Sequence, residues 1–313
     1  MNIVVQGCGA MGSVYAALFS EAGHSVWVMG RNAEHMRAIK HTGLRVSGAS
    51  GDRIVTPMVT EYLPEVGIDL LILSVKAGSV AEAAASLLAG KDRITRVVTI
   101  QNGLGSGDTV ADVLGPDRLL VGIAQGFGAA VMAPGHVHHN DMKAIRLGSY
   151  GALPLNAVQE VAAWWQQVGF DAEAVADILT AQWEKLICNV AYSAPCALTG
   201  MTVGEAMRDT TVGPVTREAA IEAYDIARAL AIPLTFDDPV AYVRAFAERM
   251  PDAKPSVLLD IESGKSSEVG VINGSIVTQA ARIGRSAPVN RTLTQLVRAL
   301  ENRAHKTGHR RPT

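Results

Sequence analysis

The sequence lacks the paired cysteines that stabilise secreted proteins and the long apolar runs that span membranes. It has three cysteines among 313 residues, and none of them forms a CxxC pair. An odd count without paired spacing is typical of a reduced intracellular protein, so we expect a cytoplasmic location. No stretch reaches about 18 uninterrupted apolar residues, which argues against a membrane-spanning helix and a membrane partner. The opening residues, MNIVVQGCGAMGS, contain an apolar run that is too short for a secretion signal.

An excess of charge of one sign is also missing. The chain has 28 Lys and Arg residues against 30 Asp and Glu, a formal net charge of −2. Such a balance provides no basic field for nucleic acid, so we expect no nucleic-acid partner. Hydrophobic residues make up 48% and charged residues 19%, as in ordinary globular proteins. The length is sufficient for about two domains.

Strand and helix patterns alternate in the first half of the chain, and only helical patterns follow. We predict strands at Asn2–Gln6, Ser25–Met29, Gly43–Val46 and Arg53–Val59 (a hairpin), Asp69–Val75, Arg96–Gln101, Leu119–Ala124, Gly135–Asn140, Ala144–Gly148 and Phe170–Val175. We predict helices at Ala10–Ala22, Ala33–Thr42, Val80–Leu88, Leu155–Gln167, Thr180–Ser193, Val215–Leu230, Pro239–Met250, Ser267–Ile283 and Asn290–His305. The alternation indicates an α/β domain on a parallel sheet over residues 1–176, and the rest an all-α domain over 177–313.

A glycine motif stands between the first predicted strand and the first predicted helix. It reads Gly7-x-Gly9-x-x-Gly12, and a second strand follows at the distance expected for a dinucleotide fold. In that motif the glycines permit a tight turn, close approach of a pyrophosphate, and packing of the helix on the strand. The N–H groups at the helix N-terminus then face the anion. We assign the whole loop to the cofactor, with the residues Gly7, Cys8, Gly9, Ala10, Met11 and Gly12. The alternative is a glycine turn without a ligand.

The end of the second predicted strand distinguishes the two nicotinamide cofactors. A carboxylate at this place would bind the ribose 2′-hydroxyl of NAD(H). The sequence reads VMGRN, so Gly30 leaves room and Arg31 supplies a positive charge for a 2′-phosphate. We therefore expect NADP(H), with a surface arginine of no special role as the alternative.

Two polar residues follow later strands of the predicted sheet. Lys76 comes directly after LLILSV, and Asn102 comes after VVTI-Gln101 in the turn QNGLG. Open α/β sheets bind ligands at the carboxyl ends of their strands, so both residues are candidates for the site. A solvated lysine and a turn-forming asparagine are the alternatives. His136 and His138 share one strand face, but no cysteine or carboxylate completes a ligand set, so we expect no metal.

The stretch QWEKLICNVAYS, residues 182–193, has two stripes on one predicted helix. Trp183, Leu186, Ile187 and Val190 form an apolar stripe at positions i, i+3, i+4 and i+7. Lys185, Asn189 and Ser193 form a polar stripe roughly opposite to it, flanked by small and apolar residues. This polar stripe differs from a Glu/Lys-rich solvent face. A lysine that reaches from a packed helix to water is the alternative to a functional role.

Four motifs in this order, GCGAMG, QNGLG, WEKLICN and KPSVLLDIESGKSSEVGVING, carry a resemblance. The chain resembles the ketopantoate reductase (2-dehydropantoate 2-reductase) family over nearly its whole length. The resemblance implies a Rossmann-type N-terminal domain and an all-α C-terminal domain of the 6-phosphogluconate-dehydrogenase-like kind, with the active site in the cleft between them. It also implies a role in pantothenate biosynthesis.

The resemblance also implies roles for individual residues. Lys185 matches the catalytic lysine, which protonates the carbonyl oxygen as NADPH delivers hydride, and Glu268 matches the acidic residue near lysine, substrate and cofactor. Asn189 and Ser256 match residues that bind the substrate, and Asn102 matches the asparagine at the boundary between cofactor and substrate. Lys76 and Gly128 match contacts to the cofactor, the second only loosely.

Two positions depart from the family pattern. Ser193 stands where reductases of the family often have a second asparagine, and Gly270 stands where they often have an aspartate. We expect Ser193 to contact the substrate, so both departures affect the identity of the 2-oxo acid. The expected function is NADPH-dependent reduction of a 2-oxo acid, with 2-dehydropantoate first. The alternatives are another 2-oxo or 2-hydroxy acid and a non-catalytic NADPH sensor. A homodimer is the assembly considered.

Overall fold

The computed structural model describes residues 1–126, 128–141 and 144–308, with side chains up to residue 303. The chain divides into two compact units, and each has its own core. Unit 1 consists of residues 1–101 and 106–178, and unit 2 consists of residues 102–105 and 179–313. The short segment 102–105, which the chain enters from a strand of unit 1, therefore belongs with the helices of unit 2.

Unit 1 alternates strands and helices. Its elements are β1 (Asn2–Gln6), α1 (Ala10–Glu21), β2 (Ser25–Met29), α2 (Ala33–Thr42), β3 (Leu44–Gly48), β4 (Arg53–Val55), β5 (Met58–Val59), β6 (Ile68–Leu73), α3 (Val80–Leu87), β7 (Ile94–Thr99), α4 (Ser106–Leu114), β8 (Leu119–Gln125), β9 (Gly128–Ala133), β10 (His136–Asp141), β11 (Ala144–Ser149), α5 (Leu155–Gln167) and β12 (Asp171–Ala174). Two 3-10 turns, Ala77–Ser79 and Leu88–Arg93, flank α3.

Eight of the described strands form one sheet in the order β12-β11-β8-β7-β6-β1-β2-β5. The six neighbouring strands β8, β7, β6, β1, β2 and β5 pair in parallel, whereas β11 pairs antiparallel with β8. The central strands β1 and β6 are buried runs of Val, Ile and Leu, as expected for a parallel sheet with both faces covered. This arrangement confirms the predicted Rossmann-type domain and places the ends of β1, β2 and β6 at one edge.

A second, four-stranded sheet has the order β4-β3-β10-β9 in the described part of unit 1. Its β3–β4 pair confirms the predicted hairpin, but the predicted strand Arg53–Val59 is two strands. Pro57 separates them, and β5 leaves the hairpin to pair with β2 in the main sheet. The strand β9 was not predicted, since its sequence GAAVMA is rich in alanine, which has weak strand propensity.

Aromatic rings fill the core of unit 1. Trp165 of α5 is fully buried, and its ring meets those of Tyr15 and Phe19 on α1 edge to face, at 5.0 and 5.5 Å between centroids. Edge-to-face contacts add to the stabilisation from apolar burial. They fix α1, and with it the glycine loop that precedes α1, against the body of the unit.

Unit 2 contains helices only, within the residues described. They are α6 (Ile178–Thr199), α7 (Val203–Arg208), α8 (Val212–Ala229), α9 (Pro239–Arg249), α10 (Ser256–Glu262), α11 (Asn273–Arg282) and α12 (Pro288–Gly308). The apolar stripe predicted for α6 is buried in the core of the unit. No helix in the described part of the chain is long and apolar enough to cross a membrane.

Two helical predictions for unit 2 need correction, and two helices of this unit were missed. The helix predicted to end at Ser193 continues through Pro195 to Thr199, because burial on all sides compensates for the one backbone bond that proline removes. The helix predicted to begin at Ser267 begins at Asn273, since turns that include Gly270 precede it. The short helices α7 and α10 were not predicted.

Candidate functional site

The glycine loop in unit 1 is shaped by contacts that exclude any side chain at two of its positions. Gly7 has a φ of +106°, and a Cβ there would lie 2.5 Å from the backbone nitrogen of Val75. A Cβ at Gly12 would overlap the carbonyl oxygen of Gly7 and lie 2.6 Å from Ser74 Oγ. These two glycines allow the loop to pass directly over the end of β6, so a substitution at either would displace the backbone.

Gly9 differs from the other two glycines of the motif because the space beside it is open. A Cβ at Gly9 would meet no protein atom within 4 Å. Gly9 is also the N-cap of α1 and provides no capping side chain, and Ser13 donates the first helical bond to its carbonyl at 2.9 Å. The N–H groups of Ala10, Met11 and Gly12 therefore lack a helical partner. An open cradle at the start of a helix fits the pyrophosphate of a dinucleotide.

The N-terminus of α2 is capped by a side chain, in contrast to the N-terminus of α1. The side chain of Asn32 accepts hydrogen bonds from Glu34 N–H and His35 N–H, each at 3.1 Å. Gly30, just before it, is constrained by packing, because a Cβ there would lie 2.7 Å from Met36 Sδ. The open N-terminus of α1 is therefore the better candidate for an anion.

Arg31 projects from the end of β2 with 73% of its side chain exposed. Its guanidinium donates to Ser79 Oγ at 2.7 Å and lies 3.4 Å from the Glu82 carboxylate. These partners hold the positive charge on one side of the strand end. Arg31 lies two residues after Met29, the last residue of β2, and the Met29 carbonyl anchors the glycine loop by accepting from Gly7 N–H and Cys8 N–H.

The other predicted cofactor residues of unit 1 lie on different elements. Lys76 follows β6 and begins the 3-10 turn Ala77–Ser79 that carries Ser79 towards Arg31. Cys8 is buried in the glycine loop, where burial raises the pKa of its thiol to about 11. Gly128 begins β9 of the second sheet, where it is opposite Asp141 of β10.

Two histidines of β10 lie within hydrogen-bond distance of a serine on the neighbouring strand β3. His136 Nε2 and His138 Nδ1 lie 2.9 and 3.3 Å from Ser47 Oγ of β3. The two histidines thus form a cluster with Ser47 on one face of this sheet.

The polar stripe of α6 lies on the helix face away from the buried stripe. Lys185 and Asn189 are partly buried, and Ser193, two turns after Lys185, is 4% exposed. Accessibility therefore decreases along the stripe from lysine to serine. A ligand that meets this face from solvent would meet Lys185 and Asn189 first.

Lys185 is at the centre of a polar cluster in unit 2. Its Nζ donates to Asn102 Oδ1 at 2.9 Å, and Asn102 Nδ2 lies 3.4 Å from Glu268 Oε2. The amide of Asn102 thus accepts from an ammonium on one side and donates to a carboxylate on the other, which defines its orientation. Residues far apart in sequence, predicted separately as site residues, form one cluster.

The backbone of the QNGLG turn explains how Asn102 reaches this cluster. Gly103 and Gly105 have φ values of +80° and +96°, which confirms the unusual dihedrals expected from the sequence. A Cβ at Gly103 would overlap the carbonyl oxygen of Val271, and Leu104 donates its N–H to that oxygen at 3.3 Å. The turn therefore packs directly on the segment that carries Glu268.

Burial and a nearby carboxylate shift the pKa of Lys185 in opposite directions. Desolvation lowers the pKa of the Lys185 amine from an ordinary value of 10.5 to about 8, and the Glu268 carboxylate partly opposes this decrease. Burial is the larger effect. The amine is therefore protonated at neutral pH and can release its proton with little cost, which suits a general acid.

The remaining predicted residues of unit 2 lie at the start of α10 and on the turn before α11. Ser256 is exposed at the first position of α10. Gly270 lies against α12, since a Cβ there would lie 2.9 Å from the guanidinium of Arg298. The aspartate common at this position in the family would thus face an arginine in this chain.

Sequence reasoning missed several residues that shape these clusters. Ser79 and Glu82 hold Arg31, and Asn273 is buried at the start of α11. The three belong to pairs that are distant in sequence, and no local pattern indicates such pairs. A polar residue at a core-facing position of the VING motif was the one available signal for Asn273.

Two known protein families match successive parts of this chain. A family described as "Ketopantoate reductase PanE/ApbA" matches residues 3–152, and one described as "Ketopantoate reductase PanE/ApbA C terminal" matches residues 177–301. The 2-dehydropantoate 2-reductase of Halobacterium salinarum is 31% identical over 300 residues, 95% of this chain and 98% of that protein. That of Archaeoglobus fulgidus is 31% identical over 96% of this chain and 98% of that protein.

Solved structures show the same fold. A PanE/ApbA family ketopantoate reductase from Ralstonia eutropha superposes with a TM-score of 0.85 and 31% identity, covering 97% of this chain and all (100%) of that one. A D-mandelate dehydrogenase with NADH and anilino(oxo)acetate has a TM-score of 0.89 over 97% of this chain and 99% of that one. Its identity of 22% makes this a likeness of fold alone. On the family matches and the full-length relatives, the chain belongs to the ketopantoate reductase family.

Proposed function

We propose that the protein reduces a 2-oxo acid to a 2-hydroxy acid with NADPH, and that 2-dehydropantoate is its leading substrate. The observation that carries this proposal is the Lys185 amine, held by Asn102 at 2.9 Å with a pKa of about 8, in a chain of the ketopantoate reductase family. Reduction of 2-dehydropantoate gives pantoate, which would place the enzyme in pantothenate biosynthesis. The cytoplasmic location expected from the sequence stays a prediction.

The glycine loop and Arg31 would hold the cofactor. The open space beside Gly9 and the N–H groups of residues 10–12 fit the pyrophosphate, and the Arg31 guanidinium fits a 2′-phosphate. NADPH, when bound, supplies the hydride. Lys76 and Gly128 are proposed as further contacts to the cofactor, and Glu268 as a contact near the nicotinamide end.

Lys185 would act as the proton donor to the ketone oxygen. An ammonium beside that oxygen stabilises the negative charge that develops during reduction, and then transfers a proton from Nζ to give the hydroxyl. Asn102 directs the amine by accepting a hydrogen bond from Nζ at 2.9 Å. The negative charge of Glu268 raises the pKa of the amine and so favours its protonated form.

The carboxylate and side chain of the substrate would be bound by the other polar residues. Asn189, one helical turn after Lys185, can donate from its amide, and the exposed hydroxyl of Ser256 can donate to a carboxylate oxygen.

Ser193 and Gly270 support a second candidate, a different 2-oxo acid. Ser193 is buried and shorter than the asparagine common in the family, and Gly270 faces Arg298 without a carboxylate. A changed side-chain pocket would alter the substrate without altering the chemistry. A non-catalytic sensor accounts less well for the structure, because nucleotide binding alone needs no lysine with a lowered pKa.

A substrate panel tests the proposal. The decrease in nicotinamide absorbance is followed with NADPH or NADH and a set of 2-oxo acids that includes 2-dehydropantoate. We expect turnover with NADPH and the highest kcat/KM for 2-dehydropantoate. A higher value for another 2-oxo acid supports the second candidate, and NADPH binding without turnover on any member of the panel contradicts the proposed reaction.

A further inference from the structure

Residues 267–273, which we call the glutamate segment, carry Glu268 and are held at three points within unit 2. Ser267 N–H donates to Glu301 on α12 at 2.7 Å. Leu104 N–H donates to the carbonyl of Val271 at 3.3 Å. At its end, Asn273 Nδ2 donates to the carbonyl of Val190 on α6 at 3.0 Å. The third tie connects the segment to the helix that carries Lys185.

The two residues of this third tie lie at equal sequence separations from Lys185 and from Glu268. Val190 lies five residues after Lys185 on α6, and Asn273 lies five residues after Glu268. The turn between Glu268 and Asn273 is closed by its own bonds, because Glu268 O accepts from Val271 N–H at 3.0 Å and Ile272 N–H at 3.1 Å. Movement of Asn273 relative to α6 would therefore move Glu268 relative to Lys185.

A buried network fixes the orientation of the Asn273 amide. Its Nδ2 also donates to Asn290 Oδ1 at 2.9 Å, and Asn290 Nδ2 donates to Ala219 O at 3.1 Å and to Glu222 Oε2 at 2.8 Å. Both asparagines are completely buried. The network joins α6, α8, α11 and α12, and a network with most of its members bonded is rigid.

Stability alone does not explain Asn273. Its Oδ1 is buried without a hydrogen-bond partner among the described residues, which is unfavourable. Apolar side chains at both 273 and 290 would fill this place in the core without that cost. The amide is better explained by where its Nδ2 holds the segment.

We propose that Asn273 is a positioning residue that sets the distance between Glu268 and Lys185 by tying the glutamate segment to α6. It acts through Glu268 and does not itself touch the substrate. The inference builds on the proposed function, because it assigns importance to the Lys185–Glu268 pair.

The charges around the pair allow the effect to be read at Lys185. Glu268 is the carboxylate that raises the pKa of Lys185 against burial, and Asn102 is neutral. Glu184, adjacent on α6, accepts instead from Thr235 N–H and Oγ1. On α12, Arg298 lies against Gly270 and Glu301 binds Ser267, so both act on the segment. A Glu268 that moves away would leave the burial effect less opposed, and the pKa of Lys185 would decrease.

The test compares Asn273→Ser with Ser275→Ala as a matched control. Serine at 273 is too short to span the 3.0 Å bond to Val190 O. Ser275 is buried on the same helix, and its hydroxyl donates to Ile272 O at 2.7 Å, a local bond that does not reach α6. The pH dependence of acetic anhydride labelling at Lys185, followed by mass spectrometry, reports the midpoint without any substrate. The pH profile of kcat/KM is measured in parallel.

We expect the labelling midpoint of Asn273→Ser to fall by about half a pH unit or more, and that of Ser275→Ala to match wild type. The kcat/KM should fall ~10-fold or more in the first variant, since misplaced groups lose rate. If Asn273→Ser does not fold, Asn290→Ser removes one acceptor of the same amide and should lower the midpoint by a smaller amount.

Identical midpoints in wild type and the tested asparagine variant would overturn the positioning role. So would an equal decrease in Ser275→Ala, because loosening of α11 in general would then explain the shift. Failure of the proposed function looks different, since wild type would not reduce any 2-oxo acid while the labelling midpoints could still be compared.

Discussion

Replacing Lys185 by methionine should stabilise the protein, although most substitutions at buried sites destabilise. The pKa of this amine is lowered from 10.5 to about 8 by burial. One pKa unit is equivalent to about 1.4 kcal/mol, so the folded state loses about 3 kcal/mol at neutral pH by keeping this amine protonated. Methionine removes that loss and retains most of the apolar stem. Asn102 and Glu268 lose a partner at the same time, so we expect a gain between zero and about 3 kcal/mol.

The pH dependence gives this prediction a sharper form. Between pH 8 and 10.5 the unfolded chain keeps a proton on Lys185 that the folded protein has released. Stability increases with pH wherever the unfolded state binds more protons, so wild type gains stability through this window. Lys185→Met lacks that contribution. The advantage of the variant should be largest below pH 8 and should disappear as the pH approaches 10.5.

Urea unfolding of both proteins at several pH values measures this difference directly. The free energies of unfolding should converge as the pH rises, and the control Lys265→Met, at an exposed lysine, should show no such convergence. A Lys185→Met protein that is less stable than wild type by more than ~1 kcal/mol at pH 7 would refute the reasoning. A pH-independent difference would show that the Lys185 amine is not desolvated.

Three further predictions concern the cofactor loop and the substrate. Arg31→Ala should weaken NADPH binding by roughly 10- to 150-fold and NADH binding little, because a charge-assisted contact contributes about 1.5–3 kcal/mol; titration of both cofactors checks it, and equal losses would exclude a 2′-phosphate contact. Gly12→Ala should abolish NADPH binding or folding, whereas Gly9→Ala, with open space around it, should fold normally and bind more weakly; thermal melts with and without NADPH distinguish these outcomes. Ser193→Asn should change the order of preferred 2-oxo acids and leave the NADPH Kd unchanged; an unaltered order would separate this position from substrate choice.

Much of unit 1 could be predicted because its signals are local. The strand Ser25–Met29 and the helices Ala33–Thr42 and Leu155–Gln167 match the structure at both ends. Alternation of strand and helix then defines a parallel sheet with few possible topologies. The helix α4 was missed since its first turn, SGD, contains a glycine and two polar residues, and its buried stripe of Gly107, Val110 and Leu114 has only two large apolar side chains.

The arrangement of the site depended on contacts that sequence patterns do not contain. The spacing of Lys185 and Asn189 on α6 predicted one polar face of a helix. That Asn102 bonds Lys185, and that residues 102–105 pack on Val271, follows from a backbone of positive φ at Gly103 and from packing in three dimensions. The balance between burial and Glu268 in the pKa of Lys185 also required the structure, because both effects depend on distance.

The central claim is that Lys185 donates the proton in reduction of a 2-oxo acid. The most direct measurement is kcat/KM of Lys185→Met for the best 2-oxo acid of the panel, with the NADPH Kd measured on the same preparation. We predict a decrease of at least ~100-fold in kcat/KM, the usual effect of losing a general acid, with a nearly unchanged Kd. Reduction at close to the wild-type rate would contradict the account and make Lys185 a structural residue.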